Sequence, residues 1–420
     1  MGKLTPIHRL LLQTELIFKT KNAFQTRSFC SLYANSPANK KERDASAMQK
    51  TKSPDMFYYS DITVRLASPE RLQSKPEASA LKFGKHFTDH MLKVEYHESI
   101  GGWQKPIICP MEYISLHPAA KVLHYAIELF EGMKAYRGRD GHIRIFRPEL
   151  NMERMNMSAA RSGLPQFDAE ELIKCMCRLV EVDQEWVPHS EAASLYLRPT
   201  FIGTEPTLGV QVPTSALLYV ILCPVGPYFG ATLAPVSLLA DPQYTRAWPG
   251  GVGDRKMGSN YAPTIHVQRE ADSMGLQQVL WLYGEDLQIT EAGTMNLFMV
   301  FRKKNGEREM ATCPLNGLIL PGITRLSILE IAREWNEFEV TERDVTMGEV
   351  LSGLEDGSLE EIFGTGTACL VSPIESIHFR GKLHKIPTMQ QENPICTRLL
   401  KALTDIQYGM VDHPWARVID

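Results

Sequence analysis

Two hydrophobic spacings alternate along the first half of the chain. Short runs of apolar and β-branched residues at 93–96, 142–145 and 217–222 predict strands. Residues 168–182 instead carry apolar side chains three and four positions apart, which predicts an amphipathic helix. Asp168 stands at the position expected of the helix N-cap. The apolar face of this helix consists of Leu172, Cys175, Met176, Leu179 and Val180.

The second half mixes the same two signals. Strands are predicted at 278–283, 295–301 and 361–363. A helix is predicted at 324–335. Helices and strands in both halves indicate an α+β fold.

A passage rich in proline and glycine, residues 224–231, separates the two halves and suits a crossing between domains. We therefore predict a smaller α+β domain at 56–226, an interdomain crossing at 227–236 and a larger α+β domain at 237–420. Small-molecule sites often form in the cleft between domains. We expect the functional site there.

The amino-terminal 34 residues have a composition of their own. Glu15 is the only acidic residue among them, and leucine, isoleucine and phenylalanine are interleaved with the basic residues Lys3, Arg9, Lys19, Lys21 and Arg27. A basic, acid-poor, amphipathic start is typical of an organelle transit peptide. We expect mitochondrial import, with a disordered tail on a cytoplasmic protein as the alternative. Residues 35–55 are polar and complete a segment, 1–55, of transit peptide and flexible linker.

Composition excludes several classes of protein. The 420 residues include 45 Lys and Arg against 49 Asp and Glu, so no basic excess favours nucleic acid or an anionic membrane. The longest apolar run, 216–225, is half of the about 20 residues that a membrane span needs. The eight cysteines form no CxxC pair or metal-ligand spacing, so we expect reduced thiols and no metal. P-loop, HExxH and GxSxG motifs are absent.

A lysine surrounded by glycines is the first candidate for chemistry. Lys256 follows Gly250, Gly251 and Gly253 and precedes Gly258. Glycines let a backbone approach a ligand closely, and a desolvated lysine forms Schiff bases with carbonyls and with pyridoxal phosphate. Taken alone, the segment also fits a solvated turn.

A carboxylate between two predicted strands is the second candidate. Glu291 lies between apolar residues on both sides, and a buried carboxylate must be paired or functional. Pyridoxal phosphate requires an acid at its pyridine nitrogen. The alternative is a turn residue that accepts hydrogen bonds from the amides of Gly293 and Thr294.

Two glycine-containing segments suit a phosphate group. Residues 321–325 open the helix predicted at 324–335, and the free amides of a helix start favour anions. Residues 363–368 leave a strand with two glycines and two threonines. Arg154 or Arg246 could balance the charge of a phosphate.

Together these segments resemble the animal-type branched-chain amino acid aminotransferases, which are fold type IV pyridoxal phosphate enzymes. The resemblance runs from about residue 83 to residue 415. It rests on the segments around Lys256, Glu291, Gly322 and Gly366, and on residues 129–136, 146–155 and 195–206. It implies a two-domain enzyme with its active site in the interdomain cleft.

The resemblance also implies an activity: reversible transamination of leucine, isoleucine and valine with 2-oxoglutarate, through a pyridoxal 5'-phosphate Schiff base on Lys256. A homodimer is implied as well. The rival activities are those of D-amino acid transaminases, aminodeoxychorismate-type lyases and non-catalytic pyridoxal phosphate proteins. Intact Lys256, Tyr261 and Glu291 argue against the last of these.

Residue roles follow from the same resemblance. Lys256 is expected to be the catalytic residue, Tyr261 to contact the phenolic oxygen of the cofactor, and Glu291 its ring nitrogen. The expected phosphate contacts are Arg154, Arg246, Ile323, Thr324 and Thr367. The expected substrate contacts are Tyr125, Phe130, Tyr196, Arg198, Thr294, Thr367 and Ala368.

One position departs from the family pattern. Some animal members carry a CxxC redox pair where this chain has Cys369 and Ser372. A switch based on that disulfide is therefore not expected here.

Overall fold

The computed structural model describes residues 55–226 and 233–419. The predicted transit peptide and residues 227–232 of the predicted crossing lie outside this part of the chain. Its strands are β1 (Thr63–Val64), β2 (His90–His97), β3 (Gly102–Trp103), β4 (Ile107–Pro110), β5 (Glu128–Phe130), β6 (Met133–Arg137), β7 (Ile143–Phe146), β8 (Ser194–Gly203), β9 (Ser215–Val225), β10 (Val236–Ala240), β11 (Gln278–Tyr283), β12 (Gln288–Ala292), β13 (Met295–Arg302), β14 (Arg308–Thr312), β15 (Glu339–Glu342), β16 (Leu359–Gly366), β17 (Leu370–Phe379), β18 (Lys382–Lys385) and β19 (Ala416–Ile419). Its α-helices are α1 (Lys121–Tyr125), α2 (Pro148–Ser162), α3 (Ala169–Val182), α4 (Thr264–Ser273), α5 (Ile323–Trp335), α6 (Met347–Asp356) and α7 (Ile395–Gln407).

The first sheet has ten strands in the order β1-β4-β2-β9-β8-β6-β7-β19, with β3 added to β2 and β5 added to β8. All of its pairs are antiparallel except β1 with β4. Helices α2 and α3 cover one face. Met152 of α2 and Met176 of α3 are buried in one core with Leu92 and Leu218 of the sheet.

The second sheet has nine strands in the order β12-β11-β10-β17-β16-β13-β14-β15, with β18 added to β17. Because β12 also pairs with β13, six of these strands close into a ring. A closed ring leaves no free edges among its own strands. Helix α4 packs Val267 and Ala271 against Trp281 of β11.

The helix predicted at 168–182 is confirmed as α3, including its N-cap. The Asp168 carboxylate accepts hydrogen bonds from the amides of Glu170 (2.9 Å) and Glu171 (3.1 Å). All five residues of the predicted apolar face are buried.

Strand and helix positions elsewhere agree with the sequence to within a few residues. The strand predicted at 278–283 is β11, and the helix predicted at 324–335 begins one residue earlier, at Ile323. The strand at 142–145 is shifted by one residue, and the strand at 93–96 is the centre of the longer β2.

The α+β class is confirmed by this mixture of elements. The division into two domains stays a prediction. Val236, placed in the crossing by the sequence, is the first residue of β10, and β19 returns to the first sheet after every strand of the second has been formed. No helix in residues 55–226 and 233–419 combines the length and apolarity needed to cross a membrane.

Candidate active site

A cavity of about 300 Å³ lies between the two sheets and gathers most of the predicted site residues. Its walls include Phe130, Arg154, Tyr196, Arg198, Lys256, Tyr261, Glu291, Thr294, Ile323, Thr324, Thr367 and Ala368. Arg246 and Tyr125, which were predicted for the same site, do not line it.

Lys256 enters the cavity from an irregular loop that is tied to the first sheet. Its amide donates to the Ser158 hydroxyl at 3.1 Å, and its carbonyl accepts from the Phe130 amide at 3.0 Å. Its Nζ donates to the Tyr261 hydroxyl at 3.3 Å and lies 5.0 Å from the centre of the Phe130 ring. No acidic side chain in the described residues forms an ion pair with Lys256, so its amine is free for chemistry.

Tight packing explains one of the glycines before Lys256. A Cβ at Gly253 would lie 2.5 Å from Ala247 Cβ and 2.9 Å from the Leu318 carbonyl oxygen. The loop can therefore pack against the backbone leading to α5 only because residue 253 lacks a side chain. The lysine loop is a packed element of the cavity wall and not a solvated turn.

Glu291 is buried in β12 and is held at one oxygen. Its Oε1 accepts from the Leu320 amide at 2.9 Å and from Asn296 Nδ2 at 3.0 Å. The alternative partners considered from the sequence, the amides of Gly293 and Thr294, are not the ones found. Burial raises the pKa of Glu291, and Arg246, with Nη2 3.0 Å from Oε2, acts against that rise.

The second oxygen of Glu291 shows how the site fits the predicted cofactor. Oε2 is buried and accepts no well-aligned hydrogen bond from the described residues, although it faces Arg246. An oxygen that faces a cation without a well-aligned hydrogen bond keeps capacity to accept from a further donor. A protonated pyridine nitrogen is the donor that would complete it.

The two predicted phosphate arginines occupy different places. Arg154 of α2 lines the cavity, with Nε and Nη2 each 2.8 Å from an oxygen of Glu131 and Nη1 donating to the Pro321 carbonyl at 3.0 Å. Arg246 instead contacts Glu291 and the Leu318 carbonyl. The guanidinium of Arg246 therefore lies beside the carboxylate expected at the pyridine ring.

Helix α5 begins at the cavity without a capping side chain. Gly322 is its N-cap residue, so no side chain satisfies the first amides. A Cβ at Gly322 would collide with Asn296 Oδ1. The amides of Ile323 and Thr324 at this thirteen-residue helix start suit an anion.

The turn between β16 and β17 forms another part of the wall. It carries Thr367 and Ala368, and Leu370 at its end has a φ of +59°. A non-glycine residue in this region is strained and needs support from its surroundings. One support comes from the first sheet, because Lys134 Nζ donates to the Ala368 carbonyl at 2.8 Å.

Aromatic side chains and one arginine form the opposite wall. The Arg198 guanidinium lies 4.6 Å from the Phe130 ring and 5.2 Å from the Tyr196 ring, and it donates to the Tyr196 hydroxyl at 3.1 Å. The Phe83 ring meets Tyr196 edge-on at 5.0 Å. The wall is thus apolar with one cation at its edge.

Tyr125 lies outside this wall. It ends α1, and its hydroxyl donates to the Leu208 carbonyl. The structure of one chain therefore does not bring Tyr125 to the cavity.

Several residues at the cavity were missed by sequence reasoning. Phe83, Gln278 and Asn296 line its wall. Glu131 and Lys134 lie behind the wall, where they hold Arg154 and the Ala368 carbonyl, and both stand inside the segment 129–136 used for the resemblance. For Glu131, a charge next to Gly132 in an apolar segment was the available signal.

Known proteins resemble this chain over most of its length. The family model for amino-transferase class IV matches residues 128–377. A mouse (Mus musculus) cytosolic branched-chain-amino-acid aminotransferase is 57% identical over 345 residues, which cover 82% of this chain and 89% of the relative. The mouse mitochondrial relative is 53% identical over 362 residues, covering 86% and 91%. A solved branched-chain aminotransferase of Thermoproteus uzoniensis superposes with a TM-score of 0.63 at 24% identity, covering 79% of this chain and 100% of that one.

The fold, the cavity and the family model define a class IV aminotransferase. Within that class, the chain belongs to the family of branched-chain-amino-acid aminotransferases. The pyridoxal-phosphate-dependent transaminase predicted from the motifs is thereby confirmed.

Substituting Glu131 by glutamine should destabilise the protein strongly. The amide cannot neutralise the charge of Arg154, and breaking a buried ion pair by removing one partner costs about 3–5 kcal/mol. Urea denaturation should show a loss of that size in the free energy of unfolding. The control is Glu170→Gln, which breaks the equally bidentate but largely exposed pair with Arg417 and should cost less than about 1 kcal/mol. Equal losses in both variants would contradict the role assigned to burial.

Proposed function

We propose that the protein transfers the amino group of leucine, isoleucine or valine reversibly to 2-oxoglutarate at this cavity, with pyridoxal 5'-phosphate bound through Lys256. The observation that carries the proposal is the shared wall of the cavity: a lysine without an acidic partner among the described residues, a buried carboxylate with one oxygen that accepts no well-aligned hydrogen bond, and an uncapped helix start. The bound cofactor supplies an electron sink for the carbon that loses its proton.

Each of these groups has a distinct role. Lys256 Nζ would take the proton from the substrate Cα and deliver it to C4′ of the cofactor, with the Tyr261 hydroxyl orienting the amine. Glu291 keeps the ring nitrogen protonated. Arg154 and the amides of Ile323 and Thr324 hold the phosphate.

We assign Arg246 and Thr367 roles other than, or in addition to, binding the phosphate. Arg246 contacts Glu291, so it influences the carboxylate that would face the pyridine ring of the cofactor. Thr367 and Ala368 present their amides to the substrate α-carboxylate, and Thr294 lies on the same wall. Thr367 is thereby shared between phosphate and substrate.

The size and polarity of the wall support branched aliphatic substrates. Burial contributes about 0.8 kcal/mol per methylene, so the three additional carbons of leucine favour it over alanine by about 2.4 kcal/mol, about 50-fold. Phe130 and Tyr196 provide that apolar surface. Arg198 at its edge gives the distal carboxylate of 2-oxoglutarate a partner.

Glu291→Gln should separate catalysis from cofactor binding. A neutral amide cannot stabilise a protonated ring nitrogen, whereas the phosphate contacts stay in place. We expect kcat to fall by at least about 100-fold, the scale of losing one preorganised electrostatic partner, while the cofactor absorbance of the holoenzyme is retained. Lys256→Ala is the comparison variant, and it should lose the absorbance change on adding leucine. A fully active Glu291→Gln enzyme would refute the assignment.

Arg198→Met should discriminate between the two substrates. Losing a charged hydrogen bond costs about 1.5–3 kcal/mol, so KM for 2-oxoglutarate should rise about 10- to 100-fold. KM for leucine should change little, because leucine carries no group for the guanidinium. Steady-state kinetics with each substrate varied in turn measure both values, and equal losses would assign Arg198 a structural role.

A homodimer is the second part of the proposal. Four apolar side chains on α1 and the loop after β8 are largely exposed: Leu123 (58%), Leu208 (64%), Val210 (79%) and Val212 (70%). Hydrogen bonds from Lys121 to the Gln211 carbonyl and from Tyr125 to the Leu208 carbonyl join the two segments, and exposed apolar side chains grouped in this way favour an interaction surface. In a dimer formed through this surface, Tyr125 would face the cavity of the second copy. Tyr125 does not line the cavity of its own chain.

The double variant Leu208→Lys, Val210→Lys should weaken association. Two buried charges in the interface oppose dimerisation, so sedimentation velocity at low micromolar concentration should show monomer. Val411→Lys, at an exposed apolar residue elsewhere (48%), is the control and should leave the dimer intact. A parent protein that sediments as a monomer would itself overturn the dimer.

Mitochondrial targeting is the third part of the proposal, with a cytoplasmic protein as the alternative. Relatives of both locations are known, one cytosolic and one mitochondrial in mouse. The basic, acid-poor composition of residues 1–34 favours import here.

A fusion of residues 1–34 to a fluorescent reporter should accumulate in mitochondria. A matched fusion with Arg9, Lys19 and Arg27 changed to glutamine should stay in the cytoplasm, because import of such segments depends on their positive charge. A diffuse signal from the first fusion would favour the alternative.

A further inference from the structure

A second cavity, of about 380 Å³, lies behind the turn that carries Thr367 and Ala368. Ala368 and Cys369 line both this cavity and the active-site cavity, so the two are separated by the turn between β16 and β17. The exposed residues Glu191, Lys401 and Met410 lie at its rim. The transamination chemistry described above does not use this cavity.

A buried ammonium group is its most unusual feature. Lys134 lines the second cavity, is 6% exposed and makes one hydrogen bond, to the Ala368 carbonyl. No carboxylate among the described residues forms an ion pair with it. Burial lowers the pKa of Lys134 to about 8, so the ammonium still predominates at neutral pH. A buried cation without a counter-charge is costly unless an anion accompanies it.

A second polar group in the wall also lacks a partner. The Ser372 hydroxyl is buried at 2% exposure and makes no hydrogen bond within the described residues, and Ser372 lines the same cavity. This hydroxyl is therefore an available donor in the cavity that also holds the Lys134 cation.

The other charges around the cavity are already balanced. Glu191 pairs with Arg139, and Asp405 pairs with Lys401 at 2.6 Å. Lys134 thus supplies one uncompensated positive charge. The remaining wall is mainly apolar and includes Leu233, Val371, Leu400 and Met410, with hydroxyl groups from Ser194, Thr397 and Thr404.

We propose that the second cavity binds a small aliphatic monocarboxylate, with its carboxylate held by Lys134 Nζ and the Ser372 hydroxyl. One cation matches one carboxylate, whereas a phosphate dianion would leave a negative charge buried and unpaired. The apolar wall takes the hydrocarbon part of the ligand. This inference concerns a site separate from the one that performs transamination.

A ligand in the second cavity is connected to the active site through the turn between β16 and β17. Lys134 holds the Ala368 carbonyl, and the same turn presents Thr367 and Ala368 to the active-site cavity. A carboxylate bound at Lys134 accepts from the same ammonium group that donates to the Ala368 carbonyl. Coupling between two such sites is reciprocal, so occupancy of one changes the affinity of the other.

The test first fills the active site and then titrates the second cavity. Protein reconstituted with N-(5'-phosphopyridoxyl)-L-leucine has its cofactor and substrate positions occupied, and adduct binding is followed by absorbance. Isothermal titration with 4-methylpentanoate should then show one binding event per chain. A failure of the adduct to bind would count against the proposed function, whereas the absence of the second event would overturn the second site alone.

Variants assign that event to the cavity. Lys134→Met should weaken 4-methylpentanoate binding about 10- to 100-fold, since it removes a charged hydrogen bond, and Ser372→Ala should weaken it about 3- to 10-fold. Lys401→Met removes a rim lysine that is paired with Asp405 and should change the affinity less than twofold. Unchanged affinity in both Lys134→Met and Ser372→Ala would overturn the proposal.

Chemical labelling gives a readout that does not depend on a variant folding. At pH 8 the amine of Lys134 is partly neutral and should react with acetic anhydride, measured by mass spectrometry of its peptide. 4-Methylpentanoate should slow acetylation at Lys134 at least fivefold and leave Lys401 unaffected. Burial raises the pKa of Cys369, Tyr136 and Tyr408, so these neighbours stay protonated under the same conditions.

The choice of ligand class is tested by competition. Inorganic phosphate at the same concentration should not displace 4-methylpentanoate or protect Lys134. Displacement by phosphate at equal affinity would show a general anion site and overturn the assignment to aliphatic carboxylates.

Discussion

The buried ion pair between Arg154 and Glu131 holds the two halves of the active site together. Both side chains are at most 3% exposed, and the guanidinium also donates to the carbonyl of Pro321, just before α5. One arginine therefore connects α2, the segment between β5 and β6, and the backbone just before α5. Burial raises the pKa of Glu131 by itself, but Arg154 outweighs it and the pKa falls below its ordinary value. The carboxylate stays charged, and Arg154 remains fixed at the cavity.

Around this pair, the polar groups of the site are held by fixed neighbours. Glu291 accepts from the Leu320 amide and faces Arg246, and α5 begins with amides that no side chain caps. Lys256 lies between the aromatic ring of Phe130 and the hydroxyl of Tyr261. Such preorganised groups need little rearrangement during the reaction, which is the main electrostatic advantage of an enzyme site over water.

Local signals in the sequence were enough to predict parts of this arrangement. Asp168 caps α3 because capping depends on neighbouring residues, and the start of α5 was visible from Pro321 and Gly322 for the same reason. Pairing at long range was not predictable. Nothing local assigns Glu131 to Arg154, or Arg246 to Glu291, since these contacts depend on how separate elements pack. Tyr125 shows the same limit, because the family resemblance placed it at a pocket that Tyr125 does not line in the same chain.

The closed ring of strands also constrains when the enzyme can assemble. Closure requires β10 to pair with β17, and the Ser376 hydroxyl donates to the Ser237 hydroxyl at 2.7 Å across 139 residues of sequence. Contacts between such distant residues form slowly, because a long loop must be closed before they stabilise anything. During synthesis, Lys256 and Glu291 therefore leave the ribosome well before the strands that complete their surroundings. The newborn chain acquires a competent cofactor pocket only near the end of translation, and until then its ring strands expose edges that a chaperone can cover.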